Sequence, residues 1–102
     1  MRYGLPEGVV QQIQAVFARY PQVDRAILYG SRAKGNYRNG SDIDLTLTGG
    51  KELTTEIFYK ILNELEELPL PYTIDLSCSN EVSDPDMLDH IRRVGILFYR
   101  KS

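Results

Sequence analysis

Seven consecutive residues, Asp42-Ile43-Asp44-Leu45-Thr46-Leu47-Thr48, alternate polar and apolar at every step, and this is the tightest constraint the chain places on its fold. Side chains of an extended strand point alternately to opposite faces, so the pattern predicts a half-buried β-strand. Ile43, Leu45 and Leu47 enter a core, while Asp42 and Asp44 project together from the other face. Gly49-Gly50 ends the run.

The flanking segments supply the rest of a layered domain. After Pro6, which suits a first helical turn, apolar residues at Val9, Val10, Ile13, Val16, Phe17 and Tyr20 form the stripe of an amphipathic helix that Pro21 stops. A second helix starts near Leu53, with Ile57, Phe58, Ile61, Leu62, Leu65 and Leu68 at helical spacing, and ends before Pro69 and Pro71. The short apolar run Arg25–Tyr29 reads as a buried strand leading straight into Gly30-Ser31. Residues 34–41, with two Gly, two Asn and a Ser, favour a loop. Tyr72–Ser77 alternates again, placing Thr73, Asp75 and Ser77 on one strand face. Asp84-Pro85-Asp86 has the chemistry of a helix start, for a short helix to about Val94, and Gly95–Tyr99 reads as a last strand.

At 102 residues, 42% apolar and 25% charged, the chain is expected to form one compact soluble domain over residues 1–102. Little chain remains to build a separate acceptor-binding domain, so an acceptor is expected to be held by another protein. A formal charge of −2 argues against a broad footprint for duplex nucleic acid. The sign is unevenly spread. Arg32, Lys34 and Arg38 occur without an acid between residues 32 and 40, whereas residues 52–67 carry five Glu and one Lys, the composition of a solvated helix face. Cys78 is the one cysteine, so an internal disulfide is excluded and a reducing compartment fits; it reads as a small packing residue. With no early h-region and no apolar run near 18 residues, neither a signal peptide nor a membrane span is expected, and the cytoplasm is the expected location.

Two carboxylates held on one strand face repel each other, and their stable partner is a divalent cation. Oxygen ligands of this kind suit Mg²⁺ or Mn²⁺, which bind a few carboxylates together with waters and substrate phosphates. If the strand bearing Asp75 pairs beside the first, Asp42, Asp44 and Asp75 share one face. They could then hold two metal ions for an in-line displacement at phosphorus, with Asp75 serving the ion that activates an acceptor hydroxyl, or taking its proton. Gly30 and Ser31, at a strand end with a small hydroxyl and no obstructing side chain, can approach phosphate oxygens closely. Arg32 and Lys34 follow at once and would offset phosphate charge if the loop turns them inward. Ser41 either contributes to that site or simply opens the strand. No G-x-x-x-x-G-K-[ST] string is present, so this is not a P-loop. Tyr37 is expected to be exposed. His90, alone in a predicted helix beside Arg92 and Arg93, is expected at the surface or satisfied, without a catalytic role.

Gly30-Ser31, ten residues, then Asp42-Ile43-Asp44, with Asp75 later in an apolar strand, resembles the G-S-x10-D-x-D signature of the polymerase-beta-like nucleotidyltransferase superfamily. The length and the string Gly30-Ser31-Arg32-Ala33-Lys34-Gly35 make the chain similar to the minimal nucleotidyltransferase (MNT) proteins, which occur with HEPN-domain toxins as toxin–antitoxin pairs. The resemblance covers nearly the whole chain. It implies an α+β fold, a mixed sheet flanked by helices. It also implies that Gly30 and Ser31 meet the phosphates of a nucleoside triphosphate, ATP, and that Asp42, Asp44 and Asp75 bind Mg²⁺. The implied activity is transfer of AMP to a hydroxyl, a tyrosine of a HEPN partner. Two alternatives stay open: a module that neutralises its partner by contact, and nucleotidyl transfer to a small molecule. Base preference is not legible, and the sequence leaves room for an oligomer.

Overall fold

The computed structural model describes residues 1–102 and shows an α+β domain, a four-stranded mixed sheet with helices on both faces. In chain order the elements are α1 (Glu7–Ala18), β1 (Arg25–Tyr29), α2 (Gly30–Lys34), β2 (Ile43–Thr48), α3 (Thr55–Glu66), β3 (Ile74–Cys78), α4 (Pro85–Val94) and β4 (Ile96–Arg100), with a single 3₁₀ turn at Ser79–Glu81. The strand order is β3-β2-β1-β4. β1 runs antiparallel to both β2 and β4, and β2 pairs in parallel with β3. A parallel pair needs a long crossover, which α3 supplies.

Strand alternation sorts the two faces. Ala26 and Leu28 of β1, Ile43, Leu45 and Leu47 of β2 and Cys78 of β3 point to one side and close a core with Val10, Ile13, Val16 and Phe17 of α1 and Ile61 and Leu65 of α3. The opposite side carries Tyr29, Asp44, Thr46, Asp75 and Ser77. There α4, which has no buried residue of its own, leans on β1. The helix ends follow their local chemistry: Thr54 accepts the Ile57 amide at 3.3 Å, and Asp84 accepts that of Asp86 at 3.0 Å, with Pro85 at the first helical position. No helix is long and apolar enough to cross a membrane.

One helix departs from the sequence expectation. Residues 30–34 form a helical turn, α2, where strand end and loop are expected; Gly30, at φ +73°, lets the chain reverse directly from β1 into helix. The N-terminus folds as a tight turn in which Arg2 and Leu5 exchange both backbone hydrogen bonds, at 2.9 and 2.7 Å, around left-handed Tyr3 and Gly4. A side chain at Gly4 would run into the Tyr37 ring.

That turn closes over the one buried charged side chain, Arg32, which is 3% exposed. Its NH1 group donates to the Tyr3 carbonyl at 3.0 Å, and Nε and NH2 donate to the Ser41 carbonyl at 3.2 and 2.9 Å. The guanidinium lies between the Tyr37 and Tyr72 rings, 5.3 and 5.2 Å from their centroids. One planar cation therefore ties together the N-terminal turn, the loop entering β2 and the approach to β3. A lysine offers a point charge without the fork and cannot serve both carbonyls. Arg32→Lys is expected to lower unfolding stability by about 2–3 kcal/mol in urea titrations while the native far-UV spectrum stays unchanged.

Candidate active site

The registers of β1, β2 and β3 place three polar side chains in one row: Tyr29 lies opposite Asp44, and Asp44 opposite Asp75. Adjacent strands are about 4.8 Å apart, so the two carboxylates are immediate neighbours across a parallel pair. This is the adjacency the sequence could only assume for Asp75. Asp42 sits one residue before β2 begins, outside the ladder where strand is expected, exposed, and close enough for its charge to act on Asp44. Asp44 and Asp75 line a cleft with Tyr29, Gly30, Asp84, Asp86, Met87 and His90.

Gly30 is fitted to Asp44. A methyl group on its Cα would overlap the Asp44 carboxylate, and its left-handed φ adds strain for any other residue. Ser31, half-buried, and exposed Lys34 follow in α2, and Lys34 makes no ion pair within the chain. Arg32 is placed otherwise than expected. Its donors are committed to backbone carbonyls beneath the loop, because helical geometry in α2 turns it into the protein and away from a free phosphate. Its charge still reaches Asp44, where it favours the ionised form. Ser41 is likewise a structural post: its carbonyl receives Arg32 and its hydroxyl accepts the Arg38 amide at 2.8 Å.

Three elements of the cleft were not legible as such. Tyr29 directly precedes the Gly-Ser pair, yet its role follows only from the strand register. Asp84 and Asp86 read as helix-start chemistry, which Asp84 does perform, but the same turn also walls the cleft. His90 comes to the site through its helix: its Nε2 accepts the Gly30 amide hydrogen at 3.1 Å, and its ring meets Tyr29 edge-on, centroids 6.1 Å apart and planes at 82°.

Burial pushes the Asp44 carboxyl up to about 6, with the neighbouring charges of Asp75 and then Asp42 adding to the shift. Burial also raises the Tyr29 phenol; the Ser77 hydroxyl opposes this, and Asp75 and Asp44 reinforce it, so the phenol stays protonated at neutral pH. No lysine or arginine lines the cleft. Concentrated negative charge on oxygen donors, with no cationic side chain in the cleft, is a donor set that fits a hard divalent ion. No three acidic, His or Cys side chains converge closely enough to hold an ion by themselves. An ion bound here would need water and phosphate oxygens for the rest of its shell, which suits Mg²⁺ better than structural zinc.

Residues 11–102 match the family described as polymerase beta, nucleotidyltransferase. The chain belongs to this nucleotidyltransferase family. No curated protein matches it by sequence. Among solved structures, the nucleotidyltransferase domain superposes on a toxin–antitoxin crystal structure with AMP-PNP at a TM-score of 0.70 and 18% identity, covering 96% of this chain and 76% of that one. It is similar to a Shewanella oneidensis complex of a tri-AMPylated HEPN toxin with an MNT antitoxin, with a TM-score of 0.67, 16% identity and coverage of 93% and 72%. A further neighbour is the MntA–HepT toxin–antitoxin, at 0.68, 15% identity and coverage of 94% and 74%. At these identities the likeness is one of fold.

The raised Asp44 value has a measurable consequence. A carboxyl that holds its proton more tightly when folded contributes stability below its unfolded value, near 3.8, and loses that contribution as pH rises through about 6. In EDTA, Tm should fall over that window, and Asp44→Asn should flatten this part of the profile. Adding Mg²⁺ at neutral pH should raise Tm in the native protein and leave Asp44→Asn nearly unmoved, both read by thermal melts against pH.

Proposed function

We propose that this nucleotidyltransferase moves AMP from Mg-ATP to a tyrosine hydroxyl of a HEPN-like partner protein, acting as the antitoxin of a toxin–antitoxin pair. The observation that carries the reading is the pairing of Asp44 with Asp75 beside Gly30, which joins a carboxylate row to the turn that opens α2. Support comes from the neighbours of like fold, one of them with AMP-PNP and one with an AMPylated HEPN toxin.

In this reading Asp44, Asp75 and Asp42 would hold the divalent ions, Asp42 and Asp44 toward the triphosphate and Asp75 toward the acceptor. When bound, such ions would neutralise phosphate charge and make the acceptor oxygen a better nucleophile. Gly30 leaves room for the Asp44 carboxylate against the turn, and the Ser31 hydroxyl donates to phosphate oxygens. Lys34, unpaired on α2, adds positive charge on the pyrophosphate side. The acceptor oxygen bonds to the α-phosphorus, the bond from that phosphorus to the bridging oxygen breaks, and pyrophosphate leaves. The hydroxyl proton passes to the carboxylate of Asp75. The protonated Tyr29 phenol, opposite Asp44, keeps that side of the cleft polar without adding charge. Arg32 and Ser41 hold the loop that presents Asp42.

Incubation with α-labelled ATP, Mg²⁺ and the product of the neighbouring gene tests the reading. Label should appear on a partner tyrosine, and Asp44→Asn and Asp75→Asn should each reduce it roughly 100-fold or more. A partner that stays unlabelled, or toxin neutralisation that survives both substitutions, would instead indicate inhibition by contact alone. Labelling of a small-molecule hydroxyl without any partner protein would move the acceptor to that class.

A further inference from the structure

α4 buries no residue of its own, yet it is fixed to the catalytic turn at one point. Its side chains make local hydrogen bonds at both ends, Asp84 to the Asp86 amide and Arg93 to Asp89, and a single one to the rest of the protein, from the Gly30 amide to His90 Nε2. Gly30 is thereby held from two directions. Its Cα lies against the Asp44 carboxylate with no room for a methyl group, and its N–H is taken by the imidazole. The Tyr29 ring, one residue earlier, meets the same imidazole edge-on.

We propose that His90 is a positioning residue for metal binding: by accepting the Gly30 amide hydrogen through Nε2 it sets the β1–α2 turn against Asp44 and so fixes the orientation of that carboxylate. His90 touches the backbone of the turn and acts on the reaction through Asp44. An Nε2 that accepts has its proton on Nδ1, so the neutral ring is the working form and its orientation is determined. The inference rests on the assignment of Asp44 as a metal ligand, but not on the identity of the acceptor. Partners behind metal ligands commonly change metal affinity or activity about 10- to 100-fold when removed.

Two substitutions in the full chain separate reach from polarity. The Gln carbonyl oxygen extends about as far as Nε2, whereas that of Asn stops short of Gly30. Mn²⁺ binding, followed by the electron paramagnetic resonance of the free ion, should weaken about 10-fold in His90→Asn and stay within about 3-fold of native in His90→Gln. Without metal, the Gly30 amide resonance should move upfield in His90→Asn and hold its position in His90→Gln. Native-like Mn²⁺ binding by His90→Asn, or equal impairment of both folded variants, overturns the proposal. In the native protein, nitrogen NMR should show His90 Nε2 unprotonated and coupled across the hydrogen bond to the Gly30 amide. Absence of that coupling also overturns it, whether or not the variants fold. If no variant and no native protein transfers label while the Mn²⁺ difference persists, the positioning role stands and the transfer reading is what fails.

Discussion

The site depends on one steric constraint: a half-buried carboxylate occupies the space where residue 30 would carry its Cβ. The constraint links the first strand to the second without any bond. Glycine at the end of β1 leaves room for that carboxylate, and the left-handed backbone glycine tolerates there turns the chain into α2 rather than along the sheet. The antiparallel register of β1 and β2 then sets Tyr29 beside Asp44, and the parallel register of β2 and β3 adds Asp75. Tyr29, Asp44 and Asp75 are each placed by a neighbour in this sequence of contacts, whereas Asp42 stands on the loop before β2.

Electrostatics divide the labour among the basic residues. A fully buried guanidinium with satisfied donors is a structural element, and Arg32 spends its hydrogen bonds on Tyr3 and Ser41. Its field still moderates the repulsion at Asp44, but burial and two neighbouring acids outweigh it, and the carboxyl remains shifted upward. The cleft is therefore left negative, with oxygen donors of the kind that suit a divalent cation. Lys34, on the exposed side of α2, is the base still free to meet an anion.

How far this was readable in the sequence depended on whether a position is set locally or by distant contacts. Alternation alone placed Ile43, Leu45 and Leu47 in the core and Asp44 opposite, and helical spacing did the same for Val10, Ile13 and Phe17. Asp75 was on the polar face of its own strand, but its neighbour was set by a crossover that no local pattern encodes. Arg32 and Lys34, two basic residues near a Gly-Ser pair, look alike as letters. Which of them faces inward is decided by the phase of a five-residue helix that composition did not reveal. His90 was set aside for the same reason: a histidine on a mostly exposed helix carries no sign of the glycine sixty residues earlier that it holds.

The parallel pairing of β2 with β3 also bears on when the site comes into being. Asp44 emerges from the ribosome early, but its neighbour across the sheet follows only after the whole of α3, and the histidine behind Gly30 later still. Contacts so distant in sequence close late in folding, after the loop entropy between them has been overcome. A chain without β3 has the Gly-Ser turn against Asp44 yet lacks the Asp75 that extends the row. The row of Tyr29, Asp44 and Asp75 thus forms only once the crossover through α3 has brought β3 beside β2.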